Sequence, residues 1–361
     1  MLHAMIMAGG AGTRFWPASR VDLPKQLLDL TGGRTMIQAT IDRVSSLVPA
    51  ERTCILTNQR LVPAIQQQLP DLPPHSILGE PCKRDTAPCI GLAAFLTHRQ
   101  DPDATMVVMP ADHVIHPTEL FCETIEHAAS LVESVPERIL TFGIRPGYPA
   151  ESFGYIERGE MLDATDTVSP ATYRVAQFRE KPTLTVAQQY LESGSFYWNS
   201  GIFVWKAATI LQALKQWEPA MYEHLAAIAA TAETPEFEAT LHENFSRIEG
   251  KSIDYAIMEK YDNVLVVEAP FQWNDVGNWQ SLATMHTPDS QGNVILGKHL
   301  GIESSNSIIR SEKDHLVVTV GLDDVIVVHT EDATLIVKKQ QEESVRQVVE
   351  RLQEEGWDQY L

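Results

Sequence analysis

The sequence predicts an α/β chain: a mostly parallel, mixed sheet flanked by helices, then a small β domain closed by a helix. Three observations carry this reading. Short apolar runs alternate with helix-period segments through residue 145, a glycine cluster directly follows the first apolar run, and short β-rich runs dominate residues 294–338.

The run 2–8 is the first strand, and 53–57, 105–109 and 138–143 repeat its apolar character. Between them 35–48, 59–69, 87–99 and 118–132 carry helical spacing; in the first, Ile37, Ile41, Val44 and Val48 share one face. Strand–helix alternation favours parallel pairing, and such sheets bind ligands beyond the carboxyl ends of their strands. The stretch 150–285 is more mixed, with strands near 153–158, 173–179, 196–204 and 263–269. Its helices fall near 184–193, 206–217, 219–231 and 252–260. His-Thr-Pro-Asp-Ser-Gln-Gly-Asn at 286–293 is rich in turn residues and reads as a linker, dividing a catalytic domain of residues 1–285 from a domain of 286–361. The later runs, 294–296, 307–310, 315–319, 324–329 and 333–338, are short enough to be coils of a small β-solenoid. A last helix, 342–354, puts Val345, Val348, Val349 and Leu352 on one face.

Composition narrows the function. A chain of 361 residues can bury a large core without disulfide or metal staples. The net charge of −20 argues against a nucleic-acid partner, whose usual footprint is a basic surface. It does not argue against a nucleotide, which a few cations, backbone N–H groups and a divalent metal can hold locally. Cys54, Cys82, Cys89 and Cys122 show no CxxC spacing, as expected in a reducing compartment. The first residues lack the cationic flank of a signal peptide, and no apolar run is long enough to span a bilayer. The expected location is cytoplasmic, with no membrane partner.

Ala8-Gly9-Gly10-Ala11-Gly12-Thr13-Arg14 follows the first strand. Glycines at 9, 10 and 12 let backbone N–H groups approach a triphosphate with no Cβ in the way. Arg14 adds a planar cation suited to phosphate oxygens, and Lys25 is near enough in sequence to return to the same pocket. The string is neither a Walker A loop nor a dinucleotide fingerprint, because Phe15 stands at the fingerprint's third glycine. A plain strand-ending turn is the alternative.

Two distant aspartates end apolar or aromatic runs: Asp112 in Met109-Pro110-Ala111-Asp112-His113 and Asp275 in Trp273-Asn274-Asp275-Val276-Gly277. Magnesium is commonly held by one or two carboxylates together with substrate phosphates. Taken singly, Asp112 could equally cap a helix and Asp275 could form an Asx-turn. Lys181, in Arg179-Glu180-Lys181-Pro182, could neutralise a sugar phosphate while Glu180 accepts from sugar hydroxyls; an exposed charge cluster is the alternative. Asn199, in Trp198-Asn199-Ser200-Gly201, could read a hydroxyl or simply satisfy a turn. Glu80-Pro81-Cys82-Lys83-Arg84-Asp85-Thr86-Ala87-Pro88 leads into a helix, where it could hold a base or phosphate and also cap the helix through Asp85 or Thr86.

Together these strings resemble the sugar-nucleotide pyrophosphorylases, whose motif order they share over essentially the whole chain. Phe15-Trp16-Pro17, Arg84-Asp85-Thr86-Ala87-Pro88, Ser252-Ile253-Asp254-Tyr255-Ala256 and Asp275-Val276-Gly277-Asn278-Trp279 are similar to the branch that makes GDP-mannose. The resemblance implies a Rossmann-like nucleotidyltransferase domain and a small left-handed β-helix-like domain. It implies GTP and mannose 1-phosphate as substrates and Mg2+ on Asp112 and Asp275; a homodimer is the expected assembly. It implies catalytic roles for Arg14, Lys25, Asp112, Lys181 and Asp275. Ala8, Gly9, Gly10, Gly12, Thr13, Arg14, Lys25 and Asp112 would contact the nucleotide. Glu80, Arg84, Thr86, Ala87 and Pro88 would line its base side. Gly154, Glu180, Lys181 and Asn199 would bind the sugar phosphate. Relatives with an added cupin-type isomerase domain are longer than this chain.

Two other functions remain open on the sequence. One is a pyrophosphorylase for another nucleotide and hexose 1-phosphate; the other is a non-catalytic GDP-mannose-binding regulator. A nicotinamide oxidoreductase fails at Phe15.

Overall fold

The first apolar run forms the strand Leu2–Met7, which pairs in parallel with Thr53–Asn58 and Thr105–Pro110, and Ile77–Glu80 pairs in parallel with Thr53–Asn58. The computed structural model describes residues 1–10, 12–30, 32–162, 170–312 and 314–361; Ala11 of the glycine string lies outside them. The chain divides into two units: residues 1–9, 40–111 and 115–273 make the first, and 10–39, 112–114 and 274–361 the second.

The first unit is built on a sheet of nine strands. Its order is Ile77–Glu80, Thr53–Asn58, Leu2–Met7, Thr105–Pro110, Phe196–Lys206, Ile139–Ile144, Val264–Glu268, Thr172–Glu180 and Gly154–Met161. The sheet is mixed. The first four strands are parallel, Phe196–Lys206 runs antiparallel to both of its central neighbours, and Val264–Glu268 returns parallel to Ile139–Ile144. Successive residues Ala4, Met5 and Ile6 are all buried, as a strand covered on both faces requires. The helix Thr86–Gln100 packs against Ala207–Trp217 and Pro219–Ala230 over one large core that includes Met106, Val108, Trp205 and Leu225. Along Thr118–Ser134, Phe121, Ile125, Ala128 and Val132 recur at the spacing of one helix face and bury against the central strands.

Several elements differ from the sequence reading, among them the unexpected strands Val114–His116, Gln272–Asn274 and Lys298–Ile302 and the short helix Trp279–Ala283. Ile77–Glu80 is a strand and Phe237–Arg247 a helix, where no element was expected. The helix expected over 252–260 is a π-helical turn, Asp254–Met258. Ile77–Glu80 is only four residues long and is held by its neighbour's ladder rather than by its own pattern. Phe237, Leu241 and Phe245 do share a face, but charged residues dominate around them.

The second unit joins the glycine turn to the C-terminal β runs through one apolar core. Phe15, Trp16, Leu28 and Met36 pack there with Val276, Trp279, Ile308, Ile326, Val328, Val345 and Leu352. Val294–Leu296, Ile308–Arg310 and Val325–His329 stack in parallel, and Thr334–Lys338 closes that sheet antiparallel. Lys298–Ile302 pairs in parallel with Leu316–Val320. The segment 286–293 is a hydrogen-bonded turn: Asp289 Oδ1 accepts from the amides of Gln291 (2.9 Å) and Asn293 (2.8 Å). The helix Val345–Glu354 buries Val345 and Leu352, with Val348 and Val349 packed beside them, as its sequence period requires.

Candidate active site

In the second unit the glycine turn is built around Lys25. Gly12 has φ 61°, the left-handed region that a side chain disfavours. It also lacks room, since a Cβ there would lie 2.6 Å from Lys25 Cβ and 2.7 Å from Lys25 N. The missing side chain therefore lets the Lys25 backbone close against the turn. Ser19 Oγ donates to the Gly12 carbonyl at 2.7 Å. Buried Phe15 meets Trp279 edge-on at 4.9 Å, which anchors the short helical turn Thr13–Phe15 and leaves Gly10 exposed.

Lys25 is 5% exposed, and its ammonium joins two loops far apart in sequence. Nζ donates to Asp112 Oδ2 at 2.8 Å and to the Asp275 carbonyl oxygen at 2.5 Å. Burial pushes the Asp112 carboxyl up, but Lys25 and His113 more than offset it and hold it below the usual carboxylate range. Asp275 goes the other way: burial raises it and the neighbouring Asp112 charge adds to that, while Lys25, the Gly277 backbone and Arg14 oppose. One lysine thus neutralises a pair of acids incompletely. Asn274 Oδ1 accepts from the Val276 amide at 2.7 Å, and the Gly277 backbone hydrogen-bonds the Asp275 carboxyl, so both residues make the contact of an Asx-turn. Asp112 caps no helix, because the next one begins at Thr118 with Pro117 at its cap position.

These carboxylates fit a hard divalent cation, which prefers oxygen donors and completes its shell with water and phosphate oxygens. Among the described residues, no group of three or more His, Cys, Asp or Glu side chains forms a metal cage. Arg14 Nε donates to Glu343 Oε2 at 3.1 Å; this pair is 28% and 63% exposed, so it is weak and open to exchange for a phosphate.

In the first unit the candidates gather at the carboxyl ends of strands, as the sheet rule requires. Buried Ala8 is engaged at both polar groups: its amide donates to the Leu56 carbonyl and its carbonyl accepts from Thr57 Oγ1. Exposed Gly9 lies over Glu80, with a built Cβ 3.7 Å from Glu80 Oε2. Glu80 is buried, its Oε1 has no hydrogen-bond partner, and burial pushes its carboxyl up to about 7 against a hydrogen bond with Cys89. In the following loop, Asp85 caps the Thr86–Gln100 helix by accepting from the Thr86 amide at 2.9 Å. Arg84 donates to the Ser246 carbonyl, Thr86 Oγ1 accepts from the Ile253 amide, and the Ala87 amide donates to the Lys251 carbonyl. Pro88 is buried in the first helical turn. The polar groups of Arg84, Thr86 and Ala87 therefore hold the loop in place.

A second cluster in this unit gathers the sugar-phosphate candidates. Lys181, at φ 47°, puts Nζ 3.0 Å from Glu180 Oε1. A Cβ on Gly154 would collide with Glu180 Oε2 and lie 3.4 Å from Asn199 Cβ, so the missing side chain lets the Glu180 carboxylate sit against the Gly154 backbone. Asn199 Nδ2 donates to Asp254 Oδ1 at 3.1 Å. Asp254 had no role in the sequence reading; the signal was its place in the Ser252 to Ala256 string, quoted for resemblance rather than chemistry.

Comparison with known proteins shows the family. The nucleotidyl transferase family model matches residues 3–292, and a MannoseP isomerase/GMP-like β-helix domain model matches 297–352. The mannose-1-phosphate guanylyltransferase 2 of Escherichia coli O157:H7 is 36% identical over 99% of this chain and 75% of its own length. That of Salmonella typhimurium is 39% identical over 98% of this chain and 74% of its own. A crystal structure from Thermus thermophilus, titled mannose-1-phosphate geranyltransferase, superposes with a TM-score of 0.86 at 32% identity, covering 98% of this chain and 99% of that one. The chain belongs to the nucleotidyl transferase family, within its mannose-1-phosphate guanylyltransferase branch, with a C-terminal β-helix-like domain.

Proposed function

We propose that the protein transfers GMP from GTP to α-D-mannose 1-phosphate, giving GDP-mannose and pyrophosphate. One observation carries the reading: a buried lysine tying Asp112 to the Asp275 loop beside a glycine turn, in a chain whose relatives are named for this activity. On this reading a sugar-phosphate oxygen attacks the α-phosphorus in line, and pyrophosphate leaves opposite. The nucleophile is already ionised near neutral pH, so no general base is needed. The obstacle is repulsion between anions.

Each candidate then has a task. Gly9, Gly10, Gly12 and Thr13 offer backbone to the triphosphate. Arg14 exchanges Glu343 for phosphate oxygens, and Lys25 fixes the two acidic loops. Glu80, with Arg84, Thr86, Ala87 and Pro88 shaping the loop after it, serves the base side. Lys181 balances the sugar phosphate while Gly154, Glu180 and Asn199 receive the sugar. Asp112 and Asp275 would hold a magnesium ion, which when bound supplies positive charge against the phosphates. The division into a catalytic domain over 1–285 and a β-helix-like domain over 286–361, a homodimer and a cytoplasmic location complete the proposal. Among the described residues no helix is long and apolar enough to cross a membrane.

The test is a panel of nucleoside triphosphates against hexose 1-phosphates, scored by pyrophosphate release. GTP with mannose 1-phosphate should exceed every other pair by at least about tenfold, a modest discrimination for sites that read hydroxyls by hydrogen bonds. A faster turnover with another pair would replace this substrate assignment. Tight GDP-mannose binding with no turnover of any pair would favour a regulator instead.

A further inference from the structure

Asp254 opens its π-helical turn beside Ile253, Ala256, Ile257 and Met258, all of them buried in the core of the first unit. The packing of these neighbours fixes its backbone, and its carboxyl accepts from Asn199 Nδ2 at 3.1 Å. The partner amide is fixed too. Asn199 Oδ1 accepts from Thr141 Oγ1 at 3.1 Å and from the Gly201 amide at 3.1 Å, so Nδ2 must be the end that faces Asp254. Glu180 is close enough for its charge to act on Asp254, and Lys181 lies 3.0 Å from Glu180. Gly154, lacking a side chain, lets the Glu180 carboxylate close against its backbone beside Asn199. Two carboxyls, one ammonium and one oriented amide thus gather beside a glycine.

Resting on the function proposed above, we infer that Asp254 is a sugar-binding residue, pairing with Glu180 to form a two-carboxyl cradle for ring hydroxyls of the hexose phosphate. A hydroxyl both donates and accepts. A matching cradle needs acceptors and at least one donor besides the lysine. Burial first, then the Glu180 and Asp85 charges, push the Asp254 carboxyl up to about 7, with Lys181 opposing. Near neutral pH it can therefore present an O–H as well as a carboxylate oxygen. An isolated structural carboxylate held only for Asn199 would not need a second acid beside it, because like charges in one place destabilise each other.

The test varies each substrate separately in Asp254→Ala and Asp254→Asn. The asparagine keeps an oxygen for the Asn199 amide but not the carboxyl chemistry. Asp254→Ala should raise KM for the sugar phosphate roughly ten- to hundredfold, with Asp254→Asn between it and the wild type, the range for a lost hydrogen bond to a charged group. KM for the nucleotide should stay within about twofold, the KM split that marks lost substrate binding. The inference fails if neither variant moves the sugar-phosphate KM. It also fails if both KM values rise together with a falling melting temperature, which marks a structural role. The hexose 1-phosphate that the wild type prefers is used throughout. A preference other than mannose therefore overturns the functional reading alone and still tests Asp254. No turnover with any sugar overturns both.

Discussion

Glu80 sits where its strand ends, 9% exposed, with its carboxyl raised from the ordinary 4.5 to about 7. A carboxyl whose pKa is higher folded than unfolded binds more protons in the native state between the two values. Stability therefore falls as pH rises from about 4.5 to about 7, and stays lowered above that. At 1.36 kcal/mol per unit, the penalty at pH 8 is on the order of 3 kcal/mol. Glu80→Gln should remove that slope and leave the variant more stable than wild type at pH 8, with little difference at pH 4.5. Urea unfolding at the two pH values reads this directly; an unchanged slope in the variant would mean that Glu80 is not the titrating group. Lys25 and Asp112 are expected to behave differently. Lys25→Ala and Asp112→Ala should each cut turnover by about a hundredfold or more while circular dichroism stays native, by analogy with single-donor deletions at charged transition states. Near-normal turnover in either at saturating magnesium would remove them from the catalytic machinery.

At the scale of the element, the glycine turn separates two kinds of glycine. Gly12 combines positive φ with backbone contact to Lys25, whereas a Cβ on Gly10 would meet nothing within 4 Å. Gly12→Ala should cost about 1–2 kcal/mol from the left-handed conformation alone, with more from the clash. Because the clash falls on Lys25, turnover should drop with stability. Gly10→Ala should cost under about 1 kcal/mol. If it weakens anything, it should weaken nucleotide binding. Equal melting temperatures for the two variants would contradict the built contact. The strands that head the parallel half of the sheet were legible because their apolar runs are long and bounded. Ile77–Glu80 was not, since a short strand between turns is specified by its partner's ladder. The site was legible in the same uneven way. Lys25, Asp112 and Asp275 stood out as charges next to glycines and strand ends, and they do meet. Asp254 lay hidden because its meaning depends on Asn199, 55 residues away, and on a glycine that sequence spacing does not bring near it.

At the scale of the whole chain, the β runs after residue 293 share a core with the glycine turn, so that core ties late sequence to early sequence. Buried Glu342 accepts from the Gln280 amide at 3.1 Å and from Gln280 Nε2 at 2.8 Å, bracing the short helix Trp279–Ala283 that follows the Asp275 loop. Trp16 Nε1 donates to the Tyr360 carbonyl at 2.8 Å, and Val345 and Leu352 bury beside Phe15 and Trp16. Truncation after Lys338 deletes all of these at once. It should lower the melting temperature sharply and abolish turnover, although every candidate active-site residue is retained. Two point variants sort the causes. Glu342→Ala leaves the Gln280 donors without their buried acceptor and should cost about 1–3 kcal/mol. Glu343→Ala removes only the exposed pair with Arg14 and should cost under about 1 kcal/mol. It should also ease nucleotide binding, since Arg14 no longer has a carboxylate to exchange. Differential scanning calorimetry with nucleotide titration measures all three. A truncated chain that melts with the wild type and turns over normally would show that the glycine turn does not depend on this late segment of the core.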